Sequence, residues 1–265
     1  MSAPVFLCPE AADARIGDVL TVAGDEGRHA VTVQRRAVGE PVDLVDGLGR
    51  RASGEITEAG DGQMRVRVGA LTHDDDPEVV LVQALAKGGR DEQAVEAAVE
   101  LGATRIVPWA AQRSIVQWRG PKAEKARDKW AALVIAATKQ SRRARVAAVD
   151  RAATSAQLAA LITHAVAEGA RVLVLHEDAV RPLTAVPWPD ARQPVWLIVG
   201  PEGGIGDEEL EQLRSAGAEA VVLGPHVLRA SSAGPAAIAA LAVARGTWGA
   251  GPANAADGPA GGGLR

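Results

Sequence analysis

The chain has 265 residues, a formal net charge of −4 and 47% hydrophobic residues, enough for one large domain or two ordinary ones with a sizeable core. It holds no uninterrupted apolar run of the roughly 18 residues a membrane helix needs, and its first residues lack the basic start and apolar run of a secretory signal. One cysteine, Cys8, excludes an intrachain disulfide and a cysteine zinc cluster, and one Phe with no Tyr excludes an aromatic base-stacking platform. Together these features suit a cytoplasmic protein that needs no metal, with Cys8 a small buried filler.

Short apolar runs broken by turn residues open the chain. They predict strands at Val5–Leu7, Val19–Val22, Pro41–Val45, Arg51–Thr57 and Met64–Val68, with Gly24, Gly27, Asp46-Gly47 and Asp61-Gly62 as punctuation. Such close spacing suggests a small barrel or sandwich over residues 1–72. The acidic segment His73–Glu78 then marks a domain boundary.

Beyond it, strands alternate with helices. Strands are predicted at Val79–Leu85, in Thr104–Trp109, and at Arg171–Leu175, Pro194–Val199 and Ala220–Leu223. Helices are predicted at Asp91–Gly102, Pro121–Gln140, Ser155–Ala167, Asp207–Ala216 and Ala233–Ala244. This alternation implies a parallel α/β sheet. Residues 247–265, almost all Gly, Ala and Pro, are expected to be disordered.

Charge is unevenly spread. Between Arg113 and Arg145 ten basic residues face only Glu124 and Asp128, ending in the cluster Ser141-Arg142-Arg143-Ala144-Arg145. Such a run is either a solvated helix face or a phosphate-contacting patch.

Three strand ends could carry chemistry. The run Trp196–Leu210 passes from an apolar strand through Gly-Pro-Glu-Gly-Gly into a helix with an acidic first turn. On residues alone this is an ordinary turn or a loop where a ligand approaches the backbone at a strand's carboxyl end. Neither a dinucleotide fingerprint nor a nucleotide-triphosphate loop is present. A second strand runs into Leu223-Gly224-Pro225 and on to Leu228-Arg229. A third ends in Leu175-His176-Glu177, where a histidine is more often structural than catalytic.

With Arg28–Glu40, Ala84–Val116 and Ala136–Val146, these segments resemble the small-subunit ribosomal RNA uridine-N3 methyltransferases, the RsmE group of the SPOUT superfamily. The similarity runs from about Val5 to Leu241. It implies an α/β protein: a PUA-like RNA-binding β-barrel over 1–72, then a SPOUT methyltransferase domain with a deep trefoil knot over 73–246. It also implies a homodimer, S-adenosyl-L-methionine as cofactor, and a uridine of 16S rRNA in the small ribosomal subunit as substrate. The cofactor pocket would use Leu175, His176, Glu177, Gly200, Pro201, Glu202, Gly203, Gly204, Leu223, Gly224, Val227, Leu228 and Arg229. Arg28, His29, Arg35, Arg36, Lys87, Arg90, Arg113 and Arg142 would contact RNA. The chain departs from the family pattern at Ala230-Ser231-Ser232, where a Glu between two Thr is usual, and at Lys139, where Glu is common.

Uracil N3 carries a proton, so its methylation needs a proton acceptor and donors that stabilise charge on the ring oxygens. Arg143 and Arg229 are assigned to that stabilisation, and Glu202 to the base or the cofactor pocket. A ribose 2′-O-methyltransferase and a non-catalytic RNA-binding assembly protein are the competing expectations.

Overall fold

The computed structural model describes residues 3–248. The expectation of a disordered stretch over 247–265 falls almost wholly outside them.

The N-terminal part is a five-stranded sheet of β1 (Val5–Leu7), β2 (Val19–Val22), β3 (Pro41–Val45), β4 (Arg50–Gly60) and β5 (Gln63–His73), in the order β1-β3-β4-β5-β2. Only the β1–β3 pair is parallel. The long β4–β5 pair shifts register at Ser53/Gly54 and Ile56/Glu58. Such irregularities bend a ladder, and the sheet curls around Phe6, Leu44, Ile56, Met64 and Val66, all fully buried. Cys8 lies in this core, its Sγ 3.3 Å from Glu10 Oε2. Burial, then the bond to Glu10, push its thiol up to about 12, so it is protonated at neutral pH and inert.

Every expected strand here forms, β4 and β5 running longer than the apolar periodicity implies. Two helical elements fall outside the sequence expectation: a 3-10 turn at Pro9–Asp13, and α1 (Gly24–Arg28), continued by a π-helical turn at His29–Val33. Gly27 suggested a turn, but its role is close packing: a Cβ there would meet the carbonyl oxygens of Gly62 and Val22 at 2.4 and 2.6 Å.

The second part is a parallel sheet. Its strands are β6 (Val79–Ala84), β7 (Arg105–Ala110), β8 (Ala148–Val149), β9 (Ala153–Thr154), β10 (Arg171–Leu175), β11 (Val195–Val199) and β12 (Glu219–Val221), in the order β12-β10-β11-β6-β7-β8, with β9 also on β7. Its helices are α2 (Arg90–Glu100), α3 (Pro121–Gln140), α4 (Ser155–Ala167), α5 (Asp207–Ser215) and α6 (Ala230–Ala244). Alternation along the strands gives each face its own core. Leu81, Leu173, Leu197 and Val199 pack with α2, α3 and α6, whereas Val80, Val82, Val172, Val174, Trp196 and Ile198 pack with α4 and α5. This is why β11 is buried at all five positions, as a strand covered on both faces must be. Among the described residues no helix is long and apolar enough to cross a membrane.

The two parts meet along the end of α3 and the segment after it. Val146 N–H donates to Gly47 O at 2.9 Å, Lys139 pairs with Glu26 at 2.6 Å, and Arg51 reaches Asp74 at 3.2 Å and the Arg142 carbonyl at 2.8 Å. The basic run is therefore not one solvated patch: Arg127, Lys129, Lys139 and Arg143 have carboxylate partners.

Arg143 was expected to stabilise developing charge, but its guanidinium donates to the carbonyls of Val99 and Ala103, each at 2.7 Å, and to Asp76 at 2.8 Å. It satisfies the exposed carbonyls at the C-terminal end of α2, where a cation is favoured. With 11% of its side chain exposed and both terminal nitrogens engaged, it braces the fold of the single chain. Arg143→Ala is expected to lower unfolding free energy by about 2–4 kcal/mol, as for loss of charged buried hydrogen bonds; urea unfolding followed by circular dichroism measures it.

Candidate active site

Parallel pairing sends the carboxyl ends of the strands to one edge, where ligands of open α/β sheets bind. At that edge lies a cavity of about 720 Å³. Its walls come from five neighbouring strands: Val222–Arg229 after β12, Leu175–Asp178 after β10, Val199–Ile205 after β11, Arg90 after β6, and Arg113 after β7.

All thirteen residues expected in the cofactor pocket line this cavity. Arg90 and Arg113, expected to contact RNA, line it too. Lys87 is not in the wall, but its amide donates to Glu202 Oε1 at 3.2 Å. Arg143 is absent from it. Arg28, His29, Arg35 and Arg36 lie on or just beyond α1 and the π turn of the N-terminal sheet. There Arg28 pairs with Asp25, and Arg36 with Glu40 at 3.4 Å. Arg142 is exposed, in a left-handed conformation at φ 59°.

The Gly200–Gly204 loop shows why glycine is needed. A Cβ on Gly200 would stand 2.7 Å from Cγ1 of Ile205, which folds back over it. The loop thus closes on itself and presents bare backbone to the cavity. On the β6 side, the buried Asp91 carboxylate accepts from Ala86 N–H at 3.0 Å, fixing the turn that carries Lys87 and Arg90. Burial pushes the Asp91 carboxyl above its ordinary value.

Glu202 is held by Arg90 at 3.1 Å as well as by the Lys87 amide. Burial would raise its carboxyl, but the hydrogen bonds from backbone amides and the Arg90 guanidinium outweigh it and hold the group below the ordinary value. A carboxylate so stabilised is a weaker proton acceptor, which favours an orienting role over general-base work. Arg229 differs: it is exposed to the cavity at the start of α6 and makes no ion pair among the described residues.

Sequence reasoning missed Asp178, Asp207 and His226, which also line the cavity. Each directly follows or sits within a segment already singled out, so the signal was adjacency. The inward faces of the loops are set by the fold.

A family model described as an RNA methyltransferase domain matches residues 74–242. Ribosomal RNA small subunit methyltransferase E of Mycobacterium tuberculosis is 42% identical over 234 residues, covering 88% of this chain and 89% of the relative. The chain belongs to the small-subunit ribosomal RNA methyltransferase E family. Another member, from Bacillus subtilis, is 26% identical, covering 83% of this chain and 88% of its own. The crystal structure of the Neisseria gonorrhoeae enzyme bound to S-adenosyl methionine superposes with a TM-score of 0.80 at 27% identity, covering 91% of this chain and 98% of that one. A Legionella pneumophila protein solved with the cofactor S-adenosylmethionine bound gives 0.79 at 26% identity, covering 92% and 98%.

Because Ile205 must move to admit a side chain, Gly200→Ala in this family member is expected to cost about 1–3 kcal/mol of stability, as overpacking does. Thermal unfolding monitored by calorimetry gives the number.

Proposed function

We propose that this chain transfers a methyl group from S-adenosylmethionine to N3 of a uridine in 16S rRNA of the small ribosomal subunit. One observation carries the proposal: loops from five neighbouring parallel strands converge on a single cavity whose wall combines bare glycine backbone with charges of both signs.

The wall suits the cofactor. A nucleoside sulfonium with an amino-acid tail presents an ammonium, a carboxylate and ribose hydroxyls. Glu177, Asp178 and Asp207 offer acceptors, Arg90 offers donors, and the loop backbones offer both. A cavity of about 720 Å³ lies in the range of small-molecule sites. When bound, the sulfonium supplies an electrophilic methyl group, so no metal is required.

The chain's residues then have separable tasks. Arg229, uncommitted at the cavity wall, takes the negative charge that grows on a uracil oxygen as the N3 proton passes to solvent in the open cavity; the methyl group then goes to N3 and S-adenosylhomocysteine leaves as a neutral thioether, while the guanidinium stays charged and offers forked donors. Glu202 orients Arg90 and the Lys87 loop. Arg113, at the cavity rim, contacts RNA, with Lys87 and Arg142 beside the rim and on the basic segment. Arg28, His29, Arg35 and Arg36 form the N-terminal contact. Alignment of N3 with the methyl group supplies much of the acceleration.

The same proposal includes the division into a PUA-like barrel over 1–72 and a knotted SPOUT domain over 73–246. Two sheets with separate cores support it. It includes a cytoplasmic location and a homodimer, the latter supported by the exposed apolar side chains Val227, Val243 and Trp248.

Primer extension on small subunits treated with the protein and S-adenosylmethionine tests the chemistry. N3 methylation blocks base pairing, so a new stop at one uridine is expected. A ribose methyl without such a stop, or no modification, overturns the proposal. Arg229→Ala is expected to reduce kcat by roughly 10²–10³ with cofactor affinity little changed, as for removal of one charge-stabilising donor.

A further inference from the structure

Glu209 is the third residue of α5, and it is fully buried. Its Oε1 accepts from the Gln112 backbone N–H at 2.9 Å and from the Ser155 hydroxyl. Ser155 Oγ in turn accepts from the indole N–H of Trp109 at 3.2 Å. Glu209 Oε2 has no hydrogen-bond partner among the described residues. A carboxylate withdrawn from water with one oxygen unpaired is costly. Packing alone would favour an apolar residue at a position this buried.

The carboxylate joins the two segments that build one corner of the cavity. Its helix continues directly from the Gly200–Gly206 loop. Gln112, whose amide it grips, precedes Arg113. The Arg113 guanidinium donates to the Gly203 carbonyl at 3.2 Å. Its side chain lies against that loop so closely that a Cβ on Gly203 would stand 3.1 Å from Arg113 Cβ, and one on Gly206 3.4 Å from Arg113 Nη2. An exposed arginine on a loop is otherwise free to swing.

We infer that Glu209 is a positioning residue: through the Gln112 amide it fixes Arg113 against Gly203–Gly206 and so sets where that guanidinium enters the cavity. The inference rests on the reading of this cavity as the site of methyl transfer to RNA. Ser155 separates the two tasks of the carboxylate. Its hydroxyl ties α4 to α5 and leaves Gln112 untouched, so it reports the merely structural share.

The test is steady-state kinetics on small ribosomal subunits, with calorimetric titration of S-adenosylmethionine. Glu209→Leu is expected to lower kcat/KM for RNA at least about tenfold while cofactor affinity shifts by less than about threefold, since small misplacements of a reacting group are expensive. Glu209→Gln keeps an oxygen for both donors and is expected to recover most of the loss. Arg113→Ala is expected to mask Glu209→Leu, so that the double variant is no worse than Arg113→Ala alone. Losses that multiply, or a loss in Ser155→Ala equal to that in Glu209→Leu, overturn the inference. Should Glu209→Leu fail to fold, hydrogen exchange in the unsubstituted protein decides: a protected Gln112 amide is expected, and exchange as fast as in exposed loops overturns the anchoring. An unsubstituted protein that transfers no methyl group to subunits sinks the functional proposal instead, and the exchange measurement still stands.

Discussion

Parallel pairing of β12, β10, β11, β6 and β7 is the constraint on which the rest depends. Strands that run the same way must all end at the same edge, and their loops must crowd there. Because both faces of the sheet are covered by helices, that edge is the place where backbone can meet a ligand. The apolar run of β11 and the glycines after it are two consequences of one arrangement: the strand is buried on both faces, and where burial ends the chain turns without side chains to make room.

Arginine serves two ends in this molecule. Arg143 is spent on the fold, its donors on carbonyls at the end of α2 and on Asp76. Arg229 faces the cavity without an ion-pair partner among the described residues. Between these extremes, Arg90 and Arg113 are held by Glu202 and by the Gly203 carbonyl, yet still line the cavity. Identical side chains thus differ in function according to which carbonyls and carboxylates the fold delivers to them. A net charge of −4 conceals this, since the charges that matter are those left unpaired at one edge.

Periodicity made most of the fold legible: α3 and α4 start and end at the expected residues, as do β1, β2, β3 and β10. It does not reach α1, because Gly27 reads as a turn residue, whereas its missing side chain lets a helix approach the turn between β4 and β5. The cavity lining was legible because its loops leave strands that the hydrophobic pattern already marked. Arg143 was not, because its partners Val99, Ala103 and Asp76 are remote in sequence, and a dense basic cluster looks the same whether it faces phosphate or helix carbonyls. Glu209 was equally hidden: an acidic helix start accounts for it locally, and its burial against Gln112 and Ser155 appears only in three dimensions.

The central claim is that five strand-end loops build one pocket for a nucleoside sulfonium. Crystals grown with S-adenosylhomocysteine test it most directly. Density for the nucleoside is expected between Leu175–Asp178, Gly200–Gly204 and Leu223–Arg229, with its sulfur directed toward Arg229. Density at another place on the protein, or an empty cavity at saturating ligand, contradicts the claim.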